Sequence, residues 1–350
     1  MQRRKLVQGL GTLCLSGLAS CHRPTTRERA LESIARQVVA PGIAEIVEQS
    51  RELASACKAL GGAFAPEKLQ AAQRAFCRAA LIWKRAGTFR DGPFQEGNAL
   101  LRATRTPPRP HVIEAVLAES RPIDAARIAE LGSGEKGLYA IECLLFDAYG
   151  RVALERFRSA SGPRAQALCL GLANELVELA EKIEQAAGSR GKRLAEELQQ
   201  SPQSSLSRLV NTLIEGLELM AEGQLGLVWH LTEVKRLEGK DVEGFWSRTS
   251  QQLALARLEG AEQIYRAGEH SLSNLVRLSA PNADDSVRER LDGALRSMRA
   301  VTLPLEDAAT QQRSRLYEAY LKVKSLEAGM KVHLPSALGV TITFSSTDAD

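Results

Sequence analysis

The strongest constraint on this chain is the recurrence of aliphatic residues every three or four positions over long stretches. Leu168, Leu172, Leu176, Leu179 and Ile183 mark one such window between Pro163 and Gly188, and Leu206, Leu209, Val210, Leu213, Ile214, Leu217 and Met220 mark a second. A third runs from Pro304 through Leu305, Ala309, Leu316, Tyr320 and Val323. A helix with 3.6 residues per turn places such positions on one face, whereas a strand needs alternation with period two. That alternation occurs only at Val340-Thr341-Ile342-Thr343-Phe344. Further helices are expected at 27–57, 66–87, 111–119, 135–148, 244–267 and 284–298. Breaks are marked by Gly61-Gly62, Asp91-Gly92-Pro93, Pro107-Pro108-Arg109-Pro110, Gly162-Pro163, Ser201-Pro202 and Pro281-Asn282.

Helices with one apolar face bury it by packing as antiparallel bundles. The 350 residues have room for two domains of ordinary size. With 44% hydrophobic and 5% aromatic residues, the composition favours helices and excludes an all-β sandwich. The expectation is an all-α fold of two four-helix-bundle-like halves, residues 21–190 and 191–350, ending in a short extended segment. The boundary is placed in the charged, glycine-interrupted stretch from Gly188 to Ser201, which a helix over 191–200 would bridge without a break.

Residues 1–20 carry a basic start (Arg3, Arg4, Lys5), a weakly apolar stretch from Leu6 to Leu18, and then small residues. This is the pattern of an export signal that is removed, not folded. Leu18-Ala19-Ser20-Cys21 resembles the bacterial lipobox, whose cysteine is acylated. Several acyl chains anchor a protein durably where one does not. His22, not an aspartate, follows the cysteine, so the resemblance to lipoprotein sorting signals points to the outer membrane, facing the periplasm. Behind the signal no apolar run reaches the roughly 18 residues of a spanning helix.

Removing the signal lowers the 46 cations to 43 against 42 acids, a net charge of +1. Interspersed charges of both signs offer no broad basic face, so nucleic acid is excluded as a partner. Processing and acylation also leave four free cysteines, Cys57, Cys77, Cys143 and Cys169. An oxidising compartment permits disulfides. In a helical hairpin turning at Gly61-Gly62, however, Cys57 and Cys77 are offset by about 15 Å, beyond the roughly 7 Å that a bridge tolerates. Most of these cysteines are expected to be buried small hydrophobes.

Gly137-Leu138-Tyr139-Ala140-Ile141-Glu142, followed by the apolar Cys143-Leu144-Leu145-Phe146 and Asp147, resembles the signature of the imelysin family, Gly-x-His-x-x-Glu before an apolar run. Four further stretches are similar in the same order. These are Trp83 with Phe89-Arg90-Asp91-Gly92-Pro93-Phe94, Leu209 to Leu213 leading to Gln224-Leu225-Gly226, Ala261 to Gly268, and Ala337 to Phe344 ending in Asp348-Ala349-Asp350. The resemblance implies two pseudo-symmetric four-helix bundles, export to the periplasm or cell surface, and an association with iron uptake. It also implies a place among proteins classed as metallopeptidases, few of which have a demonstrated reaction.

A His and a Glu three residues apart share a helix face, and both can reach one metal ion. Here the histidine position is Tyr139, whose phenol, with a pKa near 10, is a poor zinc ligand at neutral pH. The metal site that the resemblance implies is therefore missing or altered, with Glu142 as its remaining donor. No cofactor is expected, iron or zinc being the alternative, and no catalytic residue is assigned. The candidate cleft residues are Gly137, Tyr139 and Glu142, faced by Trp83, Arg90 and Asp91. Tyr139 is either a semi-buried aromatic whose hydroxyl bonds Glu142 or a backbone group, or a ligand contact. Arg90 is placed to attract an anionic group, unless the Gly-Pro after it serves only to stop a helix. His230-Leu231-Thr232-Glu233 is a second His-x-x-Glu, with too few donors for zinc on its own.

Three functions fit these residues: a lipid-anchored, non-enzymatic binding protein of the envelope, an adaptor lipoprotein that meets an envelope protein partner, and a metallopeptidase. The first two share the anchor at Cys21. Replacing Cys21 by serine is expected to move the protein from the membrane pellet to the soluble extract and to abolish incorporation of labelled palmitate.

Overall fold

The computed structural model describes residues 25–104, 110–132, 134–146, 152–195, 204–238 and 241–342. The expected signal over 1–20, the acylation site Cys21, the breaks at Pro107-Pro108-Arg109 and Ser201-Pro202, and the chain after Ile342 lie outside the described residues. Among the described residues every regular element is helical. No helix among them is long and apolar enough to cross a membrane.

α1 (Thr26–Ile34) opens on a capping box, in which Thr25 Oγ1 accepts from the Glu28 amide and Glu28 returns a bond to the Thr25 amide. A wide π turn (Ala35–Val39) carries it into α2 (Ala40–Ala59). That turn accommodates Pro41, which lacks the N–H of a regular helix. α3 (Pro66–Ala86) buries Leu69, Ala72, Phe76, Ala79, Ala80 and Trp83 along one stripe. A 3-10 segment (Gly92–Asn98), α4 (Ala99–Ala103), α5 (Pro110–Ala118) and α6 (Ala125–Glu130) follow.

α7 (Leu138–Leu145) is shorter than the expected 135–148. Gly137 at φ 80° and Phe146 in extended conformation stop it at both ends. α8 (Val152–Arg158) precedes α9 (Gly162–Ala195), which passes through Gly188 without a break.

The second half comprises α10 (Ser205–Met220), a second π turn (Ala221–Gly226) and α11 (Leu227–Glu233). α12 (Ser250–Tyr265), α13 (Leu272–Ser279), α14 (Pro281–Ala300), α15 (Leu305–Gln311) and α16 (Arg313–Leu338) complete it. The helix expected from 244 begins only at Ser250, because Gly244 (φ 76°) and Arg248 (φ 61°) turn the chain on the left-handed side. The periodic window from Pro304 is likewise cut at Gln312, where φ is −128°.

α2 lies between α3 and α9, and α7 seats on both α3 and α9. In the other bundle α14 runs along α16, with α10 on α16 and α12 on α14. The two bundles meet chiefly where α3 crosses α12. Glycine permits that crossing: a Cβ on Gly260 would stand 2.3 Å from the Arg85 carbonyl oxygen and 2.6 Å from Thr88 Oγ1. All four cysteines are free, so Cys57 and Cys77 are not bridged. Cys57 instead meets Cys169 across the α2–α9 seam, with sulfurs 3.1 Å apart.

Replacing Gly260 by valine is expected to destabilise the protein by about 2 kcal/mol or more, by overpacking against backbone. Gly188, with nothing within 4 Å of a built Cβ, gives the contrast: alanine there should be neutral or stabilising by up to about 1 kcal/mol. Urea denaturation followed by circular dichroism measures both.

Candidate functional site

The site is assembled around one carboxylate. Glu243 lies in the turn before α12, and Lys84, at the last turn of α3, forms an ion pair with its Oε1. The Tyr139 hydroxyl, on the first turn of α7, donates to the same oxygen. Gln224, on the second π turn, donates from Nε2 to Oε2. Glu243 thus receives one cation and two neutral donors from three elements of different sequence origin. Lys84 is 7% exposed and Glu243 10%, so this pair is stripped of most of its water.

Burial shifts every group here. It pushes the Lys84 ammonium down to about 8, against the pull of Glu243. It would raise Glu243, but Lys84 and then Arg257 outweigh it and hold that carboxyl below its usual range. Burial first, and Glu243 second, drive the Tyr139 phenol well above its ordinary value. At neutral pH the cluster is therefore an ammonium, a carboxylate and a protonated phenol.

Tyr139 does not bond Glu142 or a backbone group; it turns to a residue from the other bundle. Glu142, one turn further along α7, is fully buried and accepts from the Ser247 amide at 2.8 Å and the Ser247 hydroxyl at 2.6 Å. Burial raises its carboxyl to about 7 despite those two bonds, and its second oxygen has no partner. Gly137 permits the arrangement twice over, by its φ of +80° and because a Cβ would sit 2.6 Å from the Arg102 carbonyl oxygen. α7 can then begin tight against the end of α4, which aims Tyr139 at Glu243.

Above Lys84 and Glu243 opens a cleft of about 850 Å³ between the bundles. Its walls include the segment after α3 (Thr88, Arg90, Phe94, Gln95), α10 (Thr212, Glu215), the π-turn Gln224, and Arg257 of α12. Arg90 faces this cleft and pairs with Glu215 at 3.4 Å. Trp83 lies beneath its floor, fully buried, with Nε1 donating to Ser50 Oγ at 3.0 Å. Asp91 is buried beside it and accepts from Arg208 Nε at 2.8 Å, tying the segment to α10. Of the six sequence candidates, Arg90 and Trp83 border the cleft, Tyr139 reaches it through Glu243, and Glu142, Gly137 and Asp91 lie behind the walls. His230 sits exposed within α11, and Glu233 pairs with Arg313.

The residues do not fit the metal centre that the signature implies. Among the described residues no three His, Cys, Asp or Glu side chains converge on a point that could hold an ion. Both oxygens of Glu243 already accept, from Lys84, Tyr139 and Gln224, and a protonated phenol is a weak donor.

The imelysin family model matches residues 39–329. The fold resembles a candidate iron-regulated protein A precursor from Parabacteroides distasonis (TM-score 0.79, 13% identity, 91% of this chain and 97% of that one). It also resembles an imelysin-like protein from Psychrobacter arcticus (TM-score 0.74, 18% identity, with the same coverage of 91% and 97%). No curated protein matches the chain.

Glu142 gives a pH test. Its folded pKa, about 7, lies above the unfolded value near 4.3. Its contribution to stability is thus fully present below about pH 4 and is lost as pH rises through 7. Glu142→Gln, which keeps an acceptor for Ser247 but no charge, should flatten that loss. The variant is expected to gain roughly 1–3 kcal/mol on wild type at pH 8 relative to pH 5, read from urea midpoints.

Proposed function

The chain belongs to the imelysin family, and on that premise we propose that it is a lipid-anchored, non-catalytic binding component of the cell envelope, associated with iron uptake, whose ligand occupies the cleft between the bundles. The anchor is Cys21, and the location the outer membrane facing the periplasm. The iron association is supported by the family resemblance and by the structural neighbour described as iron-regulated. The observation that carries the non-catalytic reading is the ion pair of Lys84 with Glu243 beneath the Tyr139 hydroxyl. An internal ammonium neutralises the carboxylate that an external cation would need, and the phenol stands where the family signature has an imidazole. A peptidase would need a metal with an open coordination position to activate water, and the donor set does not supply one.

A cleft of about 850 Å³ is in the usual size range for small-molecule sites. Buried charges fixed by several donors make a preorganised wall for a ligand.

Two measurements test this reading together. A strain lacking the protein is expected to grow more slowly than its parent under iron limitation and equally well in iron-replete medium. Purified protein dialysed against zinc or ferrous iron is expected to retain no stoichiometric metal and to cleave no unfolded polypeptide. One equivalent of zinc, lost in Glu243→Ala, together with proteolysis, would overturn the non-catalytic reading. Equal growth in both media would overturn the iron association.

A further inference from the structure

Three cations line the cleft: Lys84, Arg90 and Arg257. Its three acids, Glu215, Asp241 and Glu243, are all engaged. Glu243 holds Lys84, Glu215 faces Arg90 at 3.4 Å, and Asp241 accepts from the Glu238 amide of its own turn at 2.9 Å. Arg257 is left over. Among the described residues its guanidinium makes no hydrogen bond and no ion pair, and the charged groups near it are Glu243 and the Lys84 and Arg90 cations. Its backbone is fixed, since Thr88 Oγ1 donates to the Arg257 carbonyl at 3.1 Å. The residue is half-buried and its nitrogens are not sealed in the core, so the guanidinium opens on the cleft.

A guanidinium held in a partly dewatered concavity with no bonded counter-ion, and with its nearest carboxylate already paired to Lys84, is costly unless an anion completes it. We propose that Arg257, flanked by Arg90, is an anion-recognition site in the interbundle cleft, and that it takes a small molecule through a carboxylate or phosphate group. A planar five-donor fork matches either group with two parallel hydrogen bonds. Arg90 is free to help, because its bond to Glu215 is long and both side chains are partly wet, at 34% and 46% exposure; a surface pair of this kind contributes little. The lining carries three cations against three acids, so the attraction for an anion is local to the two guanidiniums and is not a net field of the cleft.

This assignment rests on reading the cleft as the ligand site, but not on the link to iron. Titration calorimetry of the full-length protein with citrate and with inorganic phosphate tests it. At least one probe is expected to bind, more weakly as sodium chloride is raised. Arg257→Gln should weaken that binding about tenfold or more, which is about 1.4 kcal/mol. Arg257→Lys, which keeps the charge without the fork, should lie between. Circular dichroism melts of both variants report whether the fold is kept. Citrate binding without phosphate binding identifies the carboxylate form, and the reverse identifies the phosphate form. Failure of both probes to bind, or equal binding by wild type and a folded Arg257→Gln, overturns the anion site. In that event the growth defect under iron limitation still decides the functional reading. Conversely, Arg257-dependent citrate binding in a protein without that defect supports the anion site and removes the iron association.

Discussion

A charged amine and a carboxylate taken out of water together must stay together, and this requirement organises the middle of the molecule. Lys84 comes from the end of α3 and Glu243 from the turn before α12. Breaking such a buried pair by removing one partner generally costs about 3–5 kcal/mol, because the survivor is left uncompensated. The pair therefore fixes how the end of one bundle meets the entry to the other. Tyr139 and Gln224 then complete the carboxylate from α7 and from the π turn. Four elements that are far apart along the chain are held by a few atoms, and the cleft lies directly above them.

The same cluster explains what happens to the family signature here. An imidazole at position 139 would bring a second basic group to a carboxylate already served by an ammonium. A phenol brings a neutral donor instead. With Lys84 in place, tyrosine satisfies the remaining geometry without adding charge to a buried site. Glu142 keeps its signature position but turns away, to Ser247 of the neighbouring loop. The signature thus survives as architecture linking α7 to the 241–249 turn, whatever chemistry it performs in relatives.

Much of the fold was legible because the burial of aliphatic stripes is a one-dimensional signal. The windows around Leu168, Leu206 and Leu316 all became helices, as did 66–87 and 284–298. Two of the misplaced helix starts fall where a backbone sign change decides, whereas the cut at Gln312 does not. Gly137, Gly244 and Arg248 adopt positive φ, and apolar periodicity carries no information about that. The site was less legible. Lys84 did leave a trace, since it falls one turn after Ala80 on the buried stripe of α3, where a lysine is out of place unless paired. Glu243 sits in a loop between helices, and Arg257 on a helix of mixed composition, with no local pattern that marks either. Their meeting depends on the α3–α12 crossing, which no local pattern encodes.

That crossing also sets how far apart the walls of the cleft stand. Where the Gly260 backbone rests against the carbonyl of Arg85, the helices have no side-chain padding between them. Any side chain at position 260 would have to part α3 from α12, and with them the Thr88–Arg257 hydrogen bond beside the contact. The spacing of the charged base of the cavity is thus held by the absence of a single carbon atom.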